Sequence, residues 1–319
     1  MSGTNRGLTT FLELVFPPIS NQEAYWFKDE PAADAMRASD FYMIGGKPKS
    51  KFANLSACED TMRVSFDLFI GGELRGQGSI DVDSLEVVQN FEGSKYGVGG
   101  SEDAIEVFYE KDEDTLLLER FTTESILWHR SRGLKGLTGL DNYKELFCYD
   151  LLYVGIAKEG DSYERLIKNG HHARLDILAN EPQRYPGARV TDEIFLFLFR
   201  LEPLFVTTFG AGSEIDLEFG YDHKAIVADA EKAFVSLLKP NYNTVKFKQY
   251  PKGADGLYDS KLDRYTYSIG EAITFNTPHG KMKGGRDQYL AGMTNEADFI
   301  FIDKEKSKLF VACEDFSDD

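Results

Sequence analysis

Residues 146–178 read LFCYDLLYVGIAKEGDSYERLIKNGHHARLDIL. Leu146 to Ala157 is a dense aromatic and aliphatic run, a buried strand or a tight hairpin. Ser162 to Leu178 follows with helical spacing, its apolar positions being Tyr163, Leu166, Ile167, Leu175 and Leu178. Tyr153 on the first element and Arg165 on the second stand 12 positions apart.

On the C-terminal side, Glu193 to Leu201 (EIFLFLFRL) predicts a strongly apolar strand. His223 to Leu238 predicts a helix, with Ile226, Ala230, Phe234 and Leu237/Leu238 as its apolar stripe and Pro240 as its stop. The tail from Asp298 to Cys313 has a hairpin pattern, FIFI and LFVA around a Lys/Glu/Ser turn. On the N-terminal side, SRGLKGLTG (Ser131 to Gly139) holds three glycines and marks a boundary. Before it, Val64, Phe66 and Leu68 alternate as in a strand, Gly71-Gly72 turns the chain, and Ser79 to Val88 returns. Ala104 to Tyr109 and Thr115 to Phe121 form a second hairpin around the charged turn Glu110 to Asp114. Residues 1–60 lack clear periodicity, apart from a short helix expected over Asp29 to Asp40. The expected organisation is α+β: a β-rich accessory or recognition domain over 1–135, an α/β domain over 136–290, and a C-terminal hairpin over 291–319 packed on it.

The chain has 319 residues, 42% of them hydrophobic, enough for a packed core and too apolar for disorder. No apolar run approaches the ~20 residues of a membrane helix, and the N-terminus lacks a secretory pattern. Cys58, Cys148 and Cys313 are odd in number and match no metal spacing, which predicts reduced thiols and a cytoplasmic location. A net charge of −17 argues against a protein that coats nucleic acid. The sequence has no P-loop lysine, no G-x-G-x-x-G after a strand, no H-E-x-x-H, no G-x-S-x-G and no C-x-x-C.

Two segments carry a further pattern. Tyr153-Val154-Gly155 is followed by Arg165-Leu166, and Glu231 is followed by Leu237-Leu238-Lys239-Pro240-Asn241-Tyr242-Asn243. Glu231 to Asn243 again spans 12 positions. This ordered set resembles the GIY-YIG nuclease family over roughly residues 136–290. The resemblance implies a small antiparallel sheet flanked by helices, and cleavage of phosphodiesters with Mg²⁺ or Mn²⁺. By that resemblance Glu231 is the metal ligand, and one carboxylate suits Mg²⁺, which keeps several waters. Arg165 faces the scissile phosphate, as an always-charged fork does well, and Asn243 fixes the geometry.

Tyr153 matches the tyrosine of the second family motif. The first motif has no literal G-I-Y here, so Tyr143 and Tyr149 both stand as candidates for the tyrosine that activates water. Tyr143 precedes Tyr153 by 10 positions, leaving room for a hairpin; Tyr149 precedes it by four and shares its face on an unbroken strand. His171 or His172 corresponds to the family residue that follows the arginine, although six or seven positions separate them here rather than four. The gap of 66 positions from Arg165 to Glu231, including an acidic stretch around Glu214 to Asp222, looks like an insertion.

Local charge departs from the total. Lys239 to Arg286 holds nine basic and four acidic residues, net +5. Lys239, Lys246, Lys248 and Lys252 lie in a stretch without a carboxylate, interleaved with Phe247 and Tyr250. Together with Lys158 and Arg174 these are the expected nucleic-acid contacts, DNA before RNA. The sequence therefore predicts a Mg²⁺-dependent endonuclease, of the kind used in restriction or anti-phage defence, with no membrane partner. The N-terminal residues remain for a homo-oligomer contact or a regulatory partner. The alternatives are a degenerate domain that binds nucleic acid or protein without cutting, and an acidic face that docks on a basic partner.

Overall fold

The computed structural model describes residues 5–27, 32–58, 60–91, 96–111, 114–209, 221–286 and 294–312. The start of the helix expected at 29–40, the tip of the charged turn at 112–113, the acidic stretch at 214–220 and Cys313 lie outside them.

Strands β1 (Asn5–Leu14), β2 (Ile19–Ser20) and β3 (Phe41–Gly46) come from the N-terminal residues and join the largest sheet. The chain then leaves that sheet. β4 (Ser50–Cys58), β5 (Arg63–Ile70) and β6 (Glu73–Asp81) form a meander, and β7 (Tyr96–Gly100), β8 (Ala104–Lys111) and β9 (Asp114–Thr122) form a second one. Helix α1 (Thr123–Ser131), begun by a Thr122/Ser125 capping box, leads to β10 (Leu137–Gly139), which pairs with β6. β11 (Cys148–Ile156) re-enters the large sheet beside β3. A π-helical turn (Glu164–Lys168) and helix α2 (His172–Asn180) precede β12 (Ile194–Thr208), which pairs with the other side of β3. Helix α3 (His223–Leu238) and strands β13 (Arg264–Ile269), β14 (Thr274–Thr277), β15 (Gly280–Lys283), β16 (Phe299–Asp303) and β17 (Lys306–Phe310) complete the described chain. The large sheet runs β15-β14-β11-β3-β12-β1-β13-β16-β17, with β2 pairing on β12.

The centre of that sheet is buried on both faces. Phe41, Met43, Phe195, Phe197 and Phe199 meet Ile226, Ala230 and Phe234 of α3 on one face; Phe41 and Phe234 pack edge to face at 5.6 Å. Tyr42, Ile44, Leu152, Leu196 and Leu198 meet Tyr163, Leu166, Ile167 and Ile177 on the other. Two-sided burial explains why β3 and β12 are continuous apolar runs rather than alternating ones.

This architecture overturns the expected fold. The chain forms a large mixed sheet with two further sheets, not a small antiparallel sheet flanked by helices. Ten paired positions between β1 and β12, and a parallel register between β1 and β13, extend the sheet beyond its centre. Parallel pairs need long crossovers, which local periodicity does not reveal. Nor do the N-terminal residues stand apart: β1 and β3 lie within the sheet that carries β11 and β12, and only residues 50–139 leave it.

Individual elements divide. The helix over His223–Leu238 forms with the expected bounds, and the tail supplies the β16–β17 hairpin. The return strand expected over Ser79 to Val88 instead runs Glu73–Asp81, because pairing starts directly after the Gly71-Gly72 turn. The single helix expected over Ser162 to Leu178 is broken, since Gly170 has a left-handed backbone (φ +72°) and His171 is extended.

Candidate functional site

Tyr42 on β3 and Tyr153 on β11 lie on neighbouring antiparallel strands, their rings stacked with centroids 6.1 Å apart. The register slips between Leu151 and Tyr153, a β-bulge that inserts one residue. Because strand side chains alternate, the extra residue sends Tyr153 to the opposite face from Tyr149 and Leu151. Gly155 completes the arrangement. A Cβ there would lie 2.6 Å from the Tyr42 hydroxyl and 2.7 Å from the Tyr153 ring, so glycine lets the two phenols close over the strand.

Arg165 enters from the π-helical turn, an irregularity often found at functional sites. Its Nε–H donates to the Tyr42 hydroxyl oxygen at 3.0 Å. The Tyr42 hydroxyl also lies 3.0 Å from His171 Nε2, and the His171 ring packs against both Tyr42 and Tyr153. The break at Gly170 is what permits this contact. On one continuous helix, six residues would carry His171 about 9 Å along the axis from Arg165. Burial, then the charges of Arg165 and Arg174, pull the His171 imidazole down to about 4. Burial pushes the Tyr42 hydroxyl well up and raises the Tyr153 hydroxyl.

Glu231 comes from the middle of α3. Burial raises its carboxyl to about 6, against the opposing charges of Lys158, Arg165 and Lys232. Its charge adds to burial in raising the Tyr42 and Tyr153 hydroxyls, so it lies within electrostatic reach of both from a helix packed on the other face of the sheet. The half-buried Glu231 carboxylate makes no hydrogen bond or ion pair with a described residue. Two devices fix the helix and strand around it. Asn243 accepts from Val154 N (3.0 Å) and donates to Val154 O (2.7 Å), a two-point brace on β11. Asp229, fully buried on α3, accepts from Tyr250 (2.7 Å), Tyr267 (3.0 Å) and the Leu257 amide (2.8 Å).

Several expected residues lie elsewhere. Tyr149 is buried in the core on the opposite face, where its hydroxyl meets Glu124 beside the Lys47 ammonium. Tyr143 sits under the Arg130 guanidinium at 5.7 Å, on the short helix Tyr143–Leu146. His172 is exposed and pairs with Asp176 at 2.9 Å. Arg174 spends its donors on Asn21 and on Leu166 O, tying α2 to the N-terminal residues. Lys158 is exposed beside Glu231. Lys239, Lys246, Lys248 and Lys252 follow α3 at its far end.

Sequence reasoning missed Tyr42. The signal was present as FYMIGG, an apolar run ending on two glycines. The resemblance puts the first-motif tyrosine close to Tyr153 in sequence, whereas 111 positions separate Tyr42 from Tyr153. Among the described residues no group of three or more His, Cys, Asp or Glu side chains could hold a metal. Glu231 alone offers an unspent carboxylate here, a donor set that fits a cation retaining most of its waters. No helix among the described residues is long and apolar enough to cross a membrane. No protein-family model, no curated protein and no solved structure matches the chain.

Proposed function

We propose that this protein is a metal-dependent phosphodiester hydrolase acting on nucleic acid, DNA before RNA, with Tyr42, Tyr153, Arg165, His171 and Glu231 as its reactive group. The observation that carries this reading is the cluster that β3, β11 and the Arg165–His171 segment build around the Tyr42 hydroxyl, with Glu231 in electrostatic reach. Tyr42 bridges Arg165 and His171 at 3.0 Å on each side, and Glu231 acts on both tyrosines. The likeness to GIY-YIG nucleases is kept for these side chains, with Tyr42 taking the role first given to Tyr143 or Tyr149.

Arg165 presents its remaining guanidinium donors to a phosphate and neutralises charge that grows on its oxygens in the transition state. Tyr42 takes a proton from the attacking water while passing its own to His171 Nε2, which is neutral at physiological pH. Tyr153 stacks on Tyr42 and limits its motion. Glu231 would hold Mg²⁺ or Mn²⁺, whose chemistry is to stabilise the leaving oxygen.

The test is cleavage of plasmid, linear duplex, single-stranded DNA and RNA by purified protein with Mg²⁺ or Mn²⁺. Wild-type protein should cut at least one form, and E231Q should lose cutting while keeping its fold. Undiminished cutting by E231Q would sink the assignment, and binding without any cutting by wild type would leave a non-catalytic domain.

A further inference from the structure

Beyond α3 lies an open cavity of about 680 Å³, bounded by Ser236, Leu237 and Lys239 at the helix end, Lys246, Phe247, Lys248 and Tyr250 of the following loop, His279 and Ser307. Its volume falls within the ~300–1,000 Å³ of ligand pockets. Its lining holds three lysines and a histidine but no carboxylate, in a chain with 53 acidic and 36 basic residues. Many surface cations of this protein are paired, as Lys49 is with Glu102 and Arg130 with Asp141. The side-chain ammonium groups of Lys239 and Lys248 make no ion pair or hydrogen bond with any described residue. Lys246 is held by the Pro240 carbonyl at 2.5 Å, which uses one of its three donor protons.

The backbone is shaped to the same end. Lys239 ends the helix in the left-handed region (φ 48°), and Phe247 also has positive φ (43°). Positive φ is uncommon for a bulky aromatic residue. Phe247 is half-buried at the cavity wall between Lys246 and Lys248. Lysines supply point charges for phosphate, and an aromatic face accepts any nucleobase.

We propose that this cavity binds a nucleotide unit, its phosphate on Lys239, Lys246 and Lys248 and its base against Phe247. Lys239 lies eight residues beyond Glu231, roughly 12 Å along the helix, so the unit bound here is not the one holding the scissile phosphate. The assignment extends the proposed cleavage, but its own chemistry does not require cutting. A nucleotide can arrive within a strand or as a free molecule.

Fluorescence anisotropy with labelled oligothymidylate, and competition by thymidine diphosphate, distinguish the two sources. Oligonucleotide binding without competition by the diphosphate assigns a strand subsite; effective competition assigns a free-nucleotide pocket. In either case K239E/K248E should bind at least about tenfold more weakly. For the strand, its salt slope should fall by about 1.4, at roughly 0.7 per phosphate contact. R63E/K135E makes the same change in net charge at two exposed sites away from the cavity and should bind like wild type. Binding is read without added Mg²⁺ or Mn²⁺, where no cutting is required, so failure of the cleavage reading leaves this result standing. Binding by K239E/K248E equal to wild type, equal weakening by R63E/K135E, or no binding of either probe would overturn the proposal.

Discussion

Arg165 donates to the hydroxyl of Tyr42 at 3.0 Å across 123 positions of sequence. The same hydroxyl meets His171, so one phenol joins a permanent cation to a neutral imidazole. Removing it should separate the chemistry from the fold.

Y42F is expected to lower the cleavage rate by about 10²–10⁴, the usual range for loss of a proton-transfer group. Y149F removes the hydroxyl that meets Glu124 in the core and should leave the catalytic steps intact. Single-turnover rates and thermal melts of the two variants check this pair; equal rates for Y42F and wild type would remove Tyr42 from the mechanism.

G155A should be costly for both stability and rate. The added methyl meets the Tyr42 hydroxyl and the Tyr153 ring inside van der Waals contact, and overpacking of this kind costs about 1–3 kcal/mol. Denaturant melts measure the loss. Ring displacement should appear as a fall in rate larger than the fall in folded population.

N243A deletes both bonds to the buried Val154 backbone. Each of the two buried groups left without a partner should cost about 1–3 kcal/mol. If the proposed cleavage is right, the rate should fall with little change in the metal concentration needed for half-maximal cutting, since the Asn243 amide bonds Val154 with both its oxygen and its nitrogen.

Glu231 gives a pH signature with a defined sign. Its folded-state value of about 6 lies above its ordinary 4.5, so ionisation is harder in the folded chain. Stability is therefore lost as pH rises from about 4.5 through 6. Without metal, E231Q should melt higher than wild type at pH 8, and the difference should shrink as pH falls below 5. His171 acts oppositely. Its value of about 4 lies below the ordinary 6.5, so its contribution is present above 6.5 and is lost as pH falls towards 4. Melts of wild type, E231Q and H171Q across pH 4–8 resolve the two. A flat E231Q difference would show that the carboxyl is not desolvated.

K47M tests the junction between the inserted sheets and the central one. Lys47 and Glu124 are both almost fully buried and pair at 3.1 Å. Leaving one partner of such a pair unpaired costs about 3–5 kcal/mol, and K47M/E124Q should recover much of it. Equilibrium unfolding of both variants measures the coupling.

The sequence by itself determined the local pieces. The α3 stripe with its proline stop, the hairpin patterns, and the spacing of Tyr153, Arg165, Glu231 and Asn243 are short-range facts, and each can be traced in the structure. The resemblance was carried by those same spacings. What local pattern could not hold was pairing between distant segments. β1 and β3 look irregular in sequence because β3 is buried on both faces, while β1, although it alternates in burial, has Thr10 at a buried position and Phe11 at a half-buried one. Their places are set by β12, which pairs with both. The same limit hid Tyr42, which reaches Tyr153 only because residues 50–139 leave the sheet and return. It also misplaced Tyr149, since one bulged residue between Leu151 and Tyr153 reverses which side chains share a face. Composition and periodicity fix what each segment can bury; only the folded sheet, through register and strand order, decides which buried faces meet and so which side chains share a site.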